Sequence, residues 1–136
     1  MSSSASPSRG LHFALWGVQG LLALAFTGAG LLKLTTPIVE LAGQMAWVQS
    51  TPEPLVRFIG AAELAGALGL ILPSALRIKP ILTPIAAALL VLVMGLAAGK
   101  HLTLGEAPMI VPNIVLGGLS AFVAWGRGMK APIAGK

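Results

Sequence analysis

The sequence contains no cysteine, no aspartate and no tyrosine. Without cysteine there is no disulfide, no thiolate metal site, no iron–sulfur cluster and no CxxC redox chemistry. Charge is scarce as well. Charged residues make up 10% of the 136, where a soluble domain has about 25%. What remains is apolar, at 56% of the chain. So few charges cannot clothe a water-exposed surface, so the composition describes an all-α integral membrane protein, and the length supports one domain. The net charge of +5 sits on residues that a membrane chain gathers at helix ends. It is a topology signal, not a nucleic-acid footprint.

Residues 1–10 are Ser-rich and lack an apolar anchor, and read as a disordered tail. The run from Leu11 to Leu34 is too long for a signal-peptide core and no clear cleavage site follows, so it reads as an uncleaved first span. Further spans are expected over 55–76, 80–99 and 108–125, each near the 20 residues that cross a bilayer. Between the first two, Ile38 to Val48 has apolar residues at helical spacing but is too short to span. It reads as a short helix at the interface, with Trp47 at headgroup level. Pro52-Glu53-Pro54 ends that segment and starts the second span. The arrangement is an antiparallel four-helix bundle over 11–127, followed by a loose basic tail over 128–136.

Four spans place both termini on one side of the membrane. That side carries Arg9, Arg77, Lys79, Arg127, Lys130 and Lys136, and the other carries Lys33, Arg57 and Lys100. This asymmetry predicts cytoplasmic termini. The four acids, Glu40, Glu53, Glu63 and Glu106, fall toward the opposite side. Gly95 and Gly99 make a small-xxx-small face, read as ordinary packing within the bundle.

Glu63 carries the functional interest. It lies eight residues into its span, or about 12 Å deep at 1.5 Å per residue. An isolated carboxylate there is strongly unfavourable, so Glu63 is either neutral or paired. Arg57 lies on a different helix face. Lys33, His101 and Asn113 supply one polar group from each of the other spans, all in the outer half. Three readings stay open for this set: a polar clasp fixing helix register, a ligand or proton site, and a catalytic centre. His12 reads as an interfacial residue, Gln19 as helix–helix glue, and Trp16, Trp47 and Trp125 as interface anchors. Two histidines at opposite surfaces cannot share a metal, and a metal site takes three or four ligands, so neither metal nor haem is expected. No P-loop, nucleotide-binding glycine motif or Ser/His/Asp arrangement is present.

Several stretches carry a resemblance. They are Gly30-x-x-Lys33-Leu34, the run from Arg57 through Gly60, Glu63 and Gly66 to Pro73, the segment Thr83 to Ala87, then His101, Pro112-Asn113, and Phe122 to Arg127. With them the chain resembles the DoxX-like family of small four-helix membrane proteins over about residues 14–127. The resemblance implies an antiparallel four-helix bundle in a bacterial inner membrane. It also implies a redox association, since the family takes its name from a subunit of a thiosulfate:quinone oxidoreductase. The polar positions matching the family pattern are Lys33, Arg57, Glu63, His101 and Asn113.

Three functions compete on this basis. A non-enzymatic accessory or scaffold subunit, partnered by other membrane proteins or further copies, suits a chain almost wholly inside the bilayer. A binding protein for a quinone or isoprenoid lipid, with a possible oxidoreductase role, would use Glu63 and His101 beneath the interfacial helix as a lid. A transporter ranks last, because the spans show no polar stripe.

Overall fold

The computed structural model describes residues 8–136, and the tail expected over 1–10 lies mostly outside them. Within that range Ser8 already caps a helix, accepting a hydrogen bond from the Leu11 N–H at 3.3 Å. Helix α1 runs Arg9–Thr35, α2 Ile38–Gln44, α3 Glu53–Leu76, α4 Leu82–Thr103 and α5 Ile110–Trp125. α1, α3 and α4 are each long and apolar enough to cross a membrane, as is α5 with its flanking turns, Ala107–Lys130. The fold is an all-α membrane bundle in which sequence neighbours pack antiparallel and α5 returns against α1.

Each span is apolar around most of its circumference, the pattern of a helix surrounded by lipid or protein. The inward stripe is Leu15, Leu22 and Phe26 from α1, Ala67 and Leu70 from α3, Ala87, Leu90 and Met94 from α4, and Val123 from α5. Outward, Leu24, Phe58, Leu96 and Ile114 are largely exposed. In water such a surface would aggregate; in hydrocarbon it is the solvent-matched face.

The segment between α1 and α3 differs in detail from a single interfacial helix over 38–48. α2 stops at Gln44, Met45 is extended (φ −130°, ψ 106°), and a 3-10 turn follows over Ala46–Ser50. Leu41 and Val48 from this segment pack on Val56 at the start of α3, so it lies as a roof over the ends of α1 and α3.

Pro73 sits inside α3 and has no N–H for the Gly69 carbonyl one turn earlier. Buried Thr83, from the next helix, supplies the missing donor. Its Oγ1 lies 3.0 Å from the Gly69 carbonyl and 2.7 Å from Ser74 Oγ. A helix-breaking residue is thus tolerated within the membrane because a neighbouring hydroxyl satisfies the freed backbone group.

The C-terminal segment, expected to be loose, is instead folded against the bundle. A π-helical turn over Gly126–Lys130 leads into Ala131, which is buried. Arg77 (φ 56°) and Lys79 (φ 47°) both adopt the left-handed conformation in the α3–α4 turn, which costs about 1–2 kcal/mol per residue. The tail braces this turn: the Lys136 N–H donates to the Arg77 carbonyl at 3.0 Å and Arg77 Nε to the Ala134 carbonyl at 2.8 Å. Turn and tail share hydrogen bonds that neither makes alone.

Candidate functional site

Helices α1 and α3 come into backbone contact at Gly30 and Gly60. A Cβ on Gly30 would fall 2.7 Å from the Gly60 carbonyl oxygen, and one on Gly60 would fall 2.8 Å from Lys33 Cβ. Such backbone contact needs residues without side chains. Lys33 and Glu63 lie three residues after these glycines on their respective helices. The antiparallel pairing therefore brings the two charges together. Lys33 Nζ lies 2.8 Å from Glu63 Oε1, and Glu63 is only 3% exposed. The two groups form a buried ion pair at hydrogen-bonding distance. The pair answers how a carboxylate persists at this depth: the opposite charge is adjacent.

Arg57 serves the end of α1. Its Nη1 donates to the Lys33 carbonyl at 2.8 Å and to the Thr36 carbonyl at 2.7 Å, while Nη2 reaches Glu53 at 3.1 Å. The last carbonyls of a helix have no partner within it; here a guanidinium from the next span supplies one. Arg57 and Lys33 thus hold α1 to α3 by backbone and by charge.

The expected convergence of four helices on one polar cluster is only half realised. His101 turns away from Glu63 to Glu106, with Nδ1 to Oε1 at 3.0 Å, inside the α4–α5 loop. The same loop closes with the Glu106 N–H on the His101 carbonyl at 2.9 Å, and a local partner five residues away wins over a remote one. Asn113 makes a long contact, 3.4 Å, to the Met109 carbonyl of its own helical turn. It lies instead at a shallow groove of about 320 Å³ between α4 and α5, lined also by Met94, Gly95, Ala98, Gly117 and Gly118.

That groove changes the reading of Gly95 and Gly99. A Cβ on Gly95, Gly99 or Gly118 would meet nothing within 4 Å. These glycines do not serve packing inside the bundle, unlike Gly66 and Gly69, where a Cβ would press on Leu90 and Ala86 at 2.6 Å. Sequence spacing does not separate the two kinds.

A second polar centre, at the opposite end, escaped the sequence reading. Arg127, placed at a helix end as a topology residue, is 2% exposed. Its Nε donates to Gln19 Oε1 at 2.7 Å, and Gln19 Nε2 donates on to the Leu70 carbonyl at 2.6 Å. Nη1 reaches the Ala131 carbonyl at 2.9 Å and His12 Nδ1 at 3.1 Å, and Nη2 the His12 carbonyl at 3.3 Å. A guanidinium only donates, so His12 Nδ1 presents its lone pair. The Trp16 ring lies 5.5 Å from the guanidinium carbon, in cation–π range. Gln19, expected as helix–helix glue, joins α1 to α3 and α5 through this network. The sequence signal was a mid-span glutamine on a helix whose partner was unknown.

Four apolar spanning helices, clamped by a buried ion pair at one end and a buried arginine network at the other, define a multi-pass α-helical protein of the lipid bilayer. The DoxX-like family model matches residues 17–123, and the chain belongs to that family. No curated protein and no solved structure matches it.

Proposed function

We propose that this protein is a non-enzymatic accessory subunit of a bacterial inner-membrane assembly, docking a transmembrane helix of a partner protein in the α4–α5 groove. The redox character of that assembly is inferred from the family. The carrying observation is the groove itself: a lipid-facing furrow floored by Gly95, Gly117 and Gly118, where Gly95 and Gly118 have no packing role within the chain. Small residues let a foreign helix backbone approach closely, which is what drives association where no hydrophobic effect operates between helices. The excess of Lys and Arg at the end bearing the termini supports cytoplasmic termini.

Native mass spectrometry of the tagged protein, extracted from its own membrane in mild detergent, tests this reading. A stoichiometric protein partner is expected with the wild type. It should be lost from Gly118→Leu, which fills the groove while helicity and melting temperature stay unchanged. A wild-type protein that runs as a lone monomer sinks the proposal.

One observation favours a second reading, a site for the head of a quinone or isoprenoid lipid. Glu63 has Lys33 as its one charged partner among the described residues, and a carboxylate has further lone pairs that a ligand hydroxyl is able to fill. Because His101 is engaged by Glu106, this reading rests on Lys33 and Glu63. Glu63→Gln is expected to weaken binding of a short-chain quinol by about tenfold, the loss of one charge-assisted hydrogen bond. Unchanged binding in a fluorescence-quenching titration removes the idea.

A further inference from the structure

Arg127 is a buried cation with no anion beside it. Among the described residues, the ion pairs are Lys33–Glu63, Arg57–Glu53 and His101–Glu106, all in the half of the bundle away from the termini. Residues 1–7 contain no acid, and the chain has no aspartate. Every acceptor on Arg127 is neutral: one amide oxygen, one imidazole nitrogen and two carbonyls. They account for four of the five guanidinium N–H groups, leaving one on Nη2 without an acceptor among the described residues. Charge and one donor therefore both remain to be met.

A cavity of about 200 Å³ borders the Arg127 residue. It is lined by Arg127 with Pro80 and Ile81 from the start of the α4 segment and Gly128, Pro132 and Ile133 from the folded-back tail. Pockets for drug-sized molecules run to about 300–1,000 Å³, so this one suits a small headgroup. The depth is also right. Trp125, two residues before Arg127, is partly exposed at this end of the bundle, and an exposed tryptophan there marks the headgroup layer. Arg77, Lys79, Lys130 and Lys136 occupy the same end, with no glutamate among them, so the surrounding side-chain field attracts anions.

We propose that this cavity binds the phosphate group of an anionic phospholipid, with Arg127 as its counter-charge. The phosphodiester supplies the negative charge that no described side chain places beside Arg127 and an acceptor for the remaining guanidinium N–H. Arginine matches phosphate oxygens in both charge and fork geometry. The lipid tails then run along the apolar outer face of the bundle. The site is independent of the groove and of the Lys33–Glu63 pair.

The test uses the full chain in nanodiscs and in detergent. Native mass spectrometry against phosphatidylglycerol, phosphatidylcholine and 10 mM (roughly; high enough to saturate a weak ion site, given the millimolar scale of weak affinities) inorganic phosphate is expected to show retained phosphatidylglycerol and a raised melting temperature with that lipid alone. Arg127→Gln should weaken retention by about tenfold or more. Since Arg127 also holds α1 to α5, a second variant leaves it in place. Gly128→Val adds bulk at a residue that lines the cavity, where a Cβ meets only Pro84 Cβ at an ordinary 3.6 Å. It should lose the lipid while keeping wild-type helicity. Equal retention of phosphatidylglycerol by wild type and Gly128→Val, or equal retention of phosphatidylcholine, overturns the proposal. Stabilisation by inorganic phosphate equal to that by the lipid overturns the assignment to a lipid headgroup.

Discussion

Glu63→Leu is expected to destabilise the bundle by about 3–5 kcal/mol, whereas Lys33→Met combined with Glu63→Leu should recover most of that loss. The reasoning rests on what each variant leaves behind. Removing the carboxylate strands the ammonium of Lys33, a residue 8% exposed whose Cβ lies close against Gly60. Lys33 lies near the end of its span, so its stem has some freedom to carry the charge outward. That relief keeps the expected loss toward the lower bound. Removing both charges exchanges a costly buried pair for apolar contact, often neutral or stabilising in such sites. Reversible unfolding in mixed micelles, with rising mole fraction of SDS and helicity as the readout, measures both. A double variant no more stable than Glu63→Leu alone would show that the ion pair is not what holds the charges in place.

The second large effect is expected from Gly30→Ala. Its new Cβ would meet the Gly60 carbonyl oxygen at 2.7 Å and the Leu64 nitrogen at 3.0 Å. Both are backbone atoms, so no side chain can swing aside and the helices must separate. Overpacking of this kind costs about 1–3 kcal/mol. Separation also lengthens the Lys33–Glu63 contact one turn away, so Gly30→Ala and Glu63→Leu should be less than additive when combined. Gly95→Ala is the control. A Cβ there meets nothing within 4 Å, and alanine favours a helix over glycine by up to about 1 kcal/mol, so stability should hold or rise. The same unfolding assay reads all of them. If Gly30→Ala proves as mild as Gly95→Ala, the close crossing of α1 and α3 is wrong.

The two glycine sets show where sequence spacing stops being informative. Gly95 and Gly99 have the small-xxx-small pattern that suggests a packed face, yet they look out of the bundle. Gly30 and Gly60 lie on different helices, each three residues before a charge, and their backbones meet directly. Periodicity reports which residues share one face of a helix. It does not report which way that face points once several faces of the helix are apolar.

Polar residues divide in the same manner. Glu63 stood out because a carboxylate in the middle of an apolar run is exceptional on any reading. Lys33, ending the previous span, was among its candidate partners and is the one it meets. His101 was an equally reasonable candidate and is held instead by Glu106, five residues away, because loop closure over so short a stretch demands little entropy. Arg127 was legible as a positive charge at a helix end and as the close of the Phe122 to Arg127 stretch, and neither reveals its buried network.

By itself the sequence determined that this is a membrane protein with four apolar helices long enough to span, and that Glu63 must be paired or neutral. These follow from local demands. Hydrocarbon requires about 20 apolar residues in a row, each backbone group satisfied within its own helix, and no lone charge. Only the tertiary structure decided which faces meet. That Gln19 receives a hydrogen bond from a residue 108 positions later, or that the tail braces the α3–α4 turn, depends on the rotation and register of helices about one another. Those are set by the sum of many weak packing contacts, none of which is written at a single position of the chain.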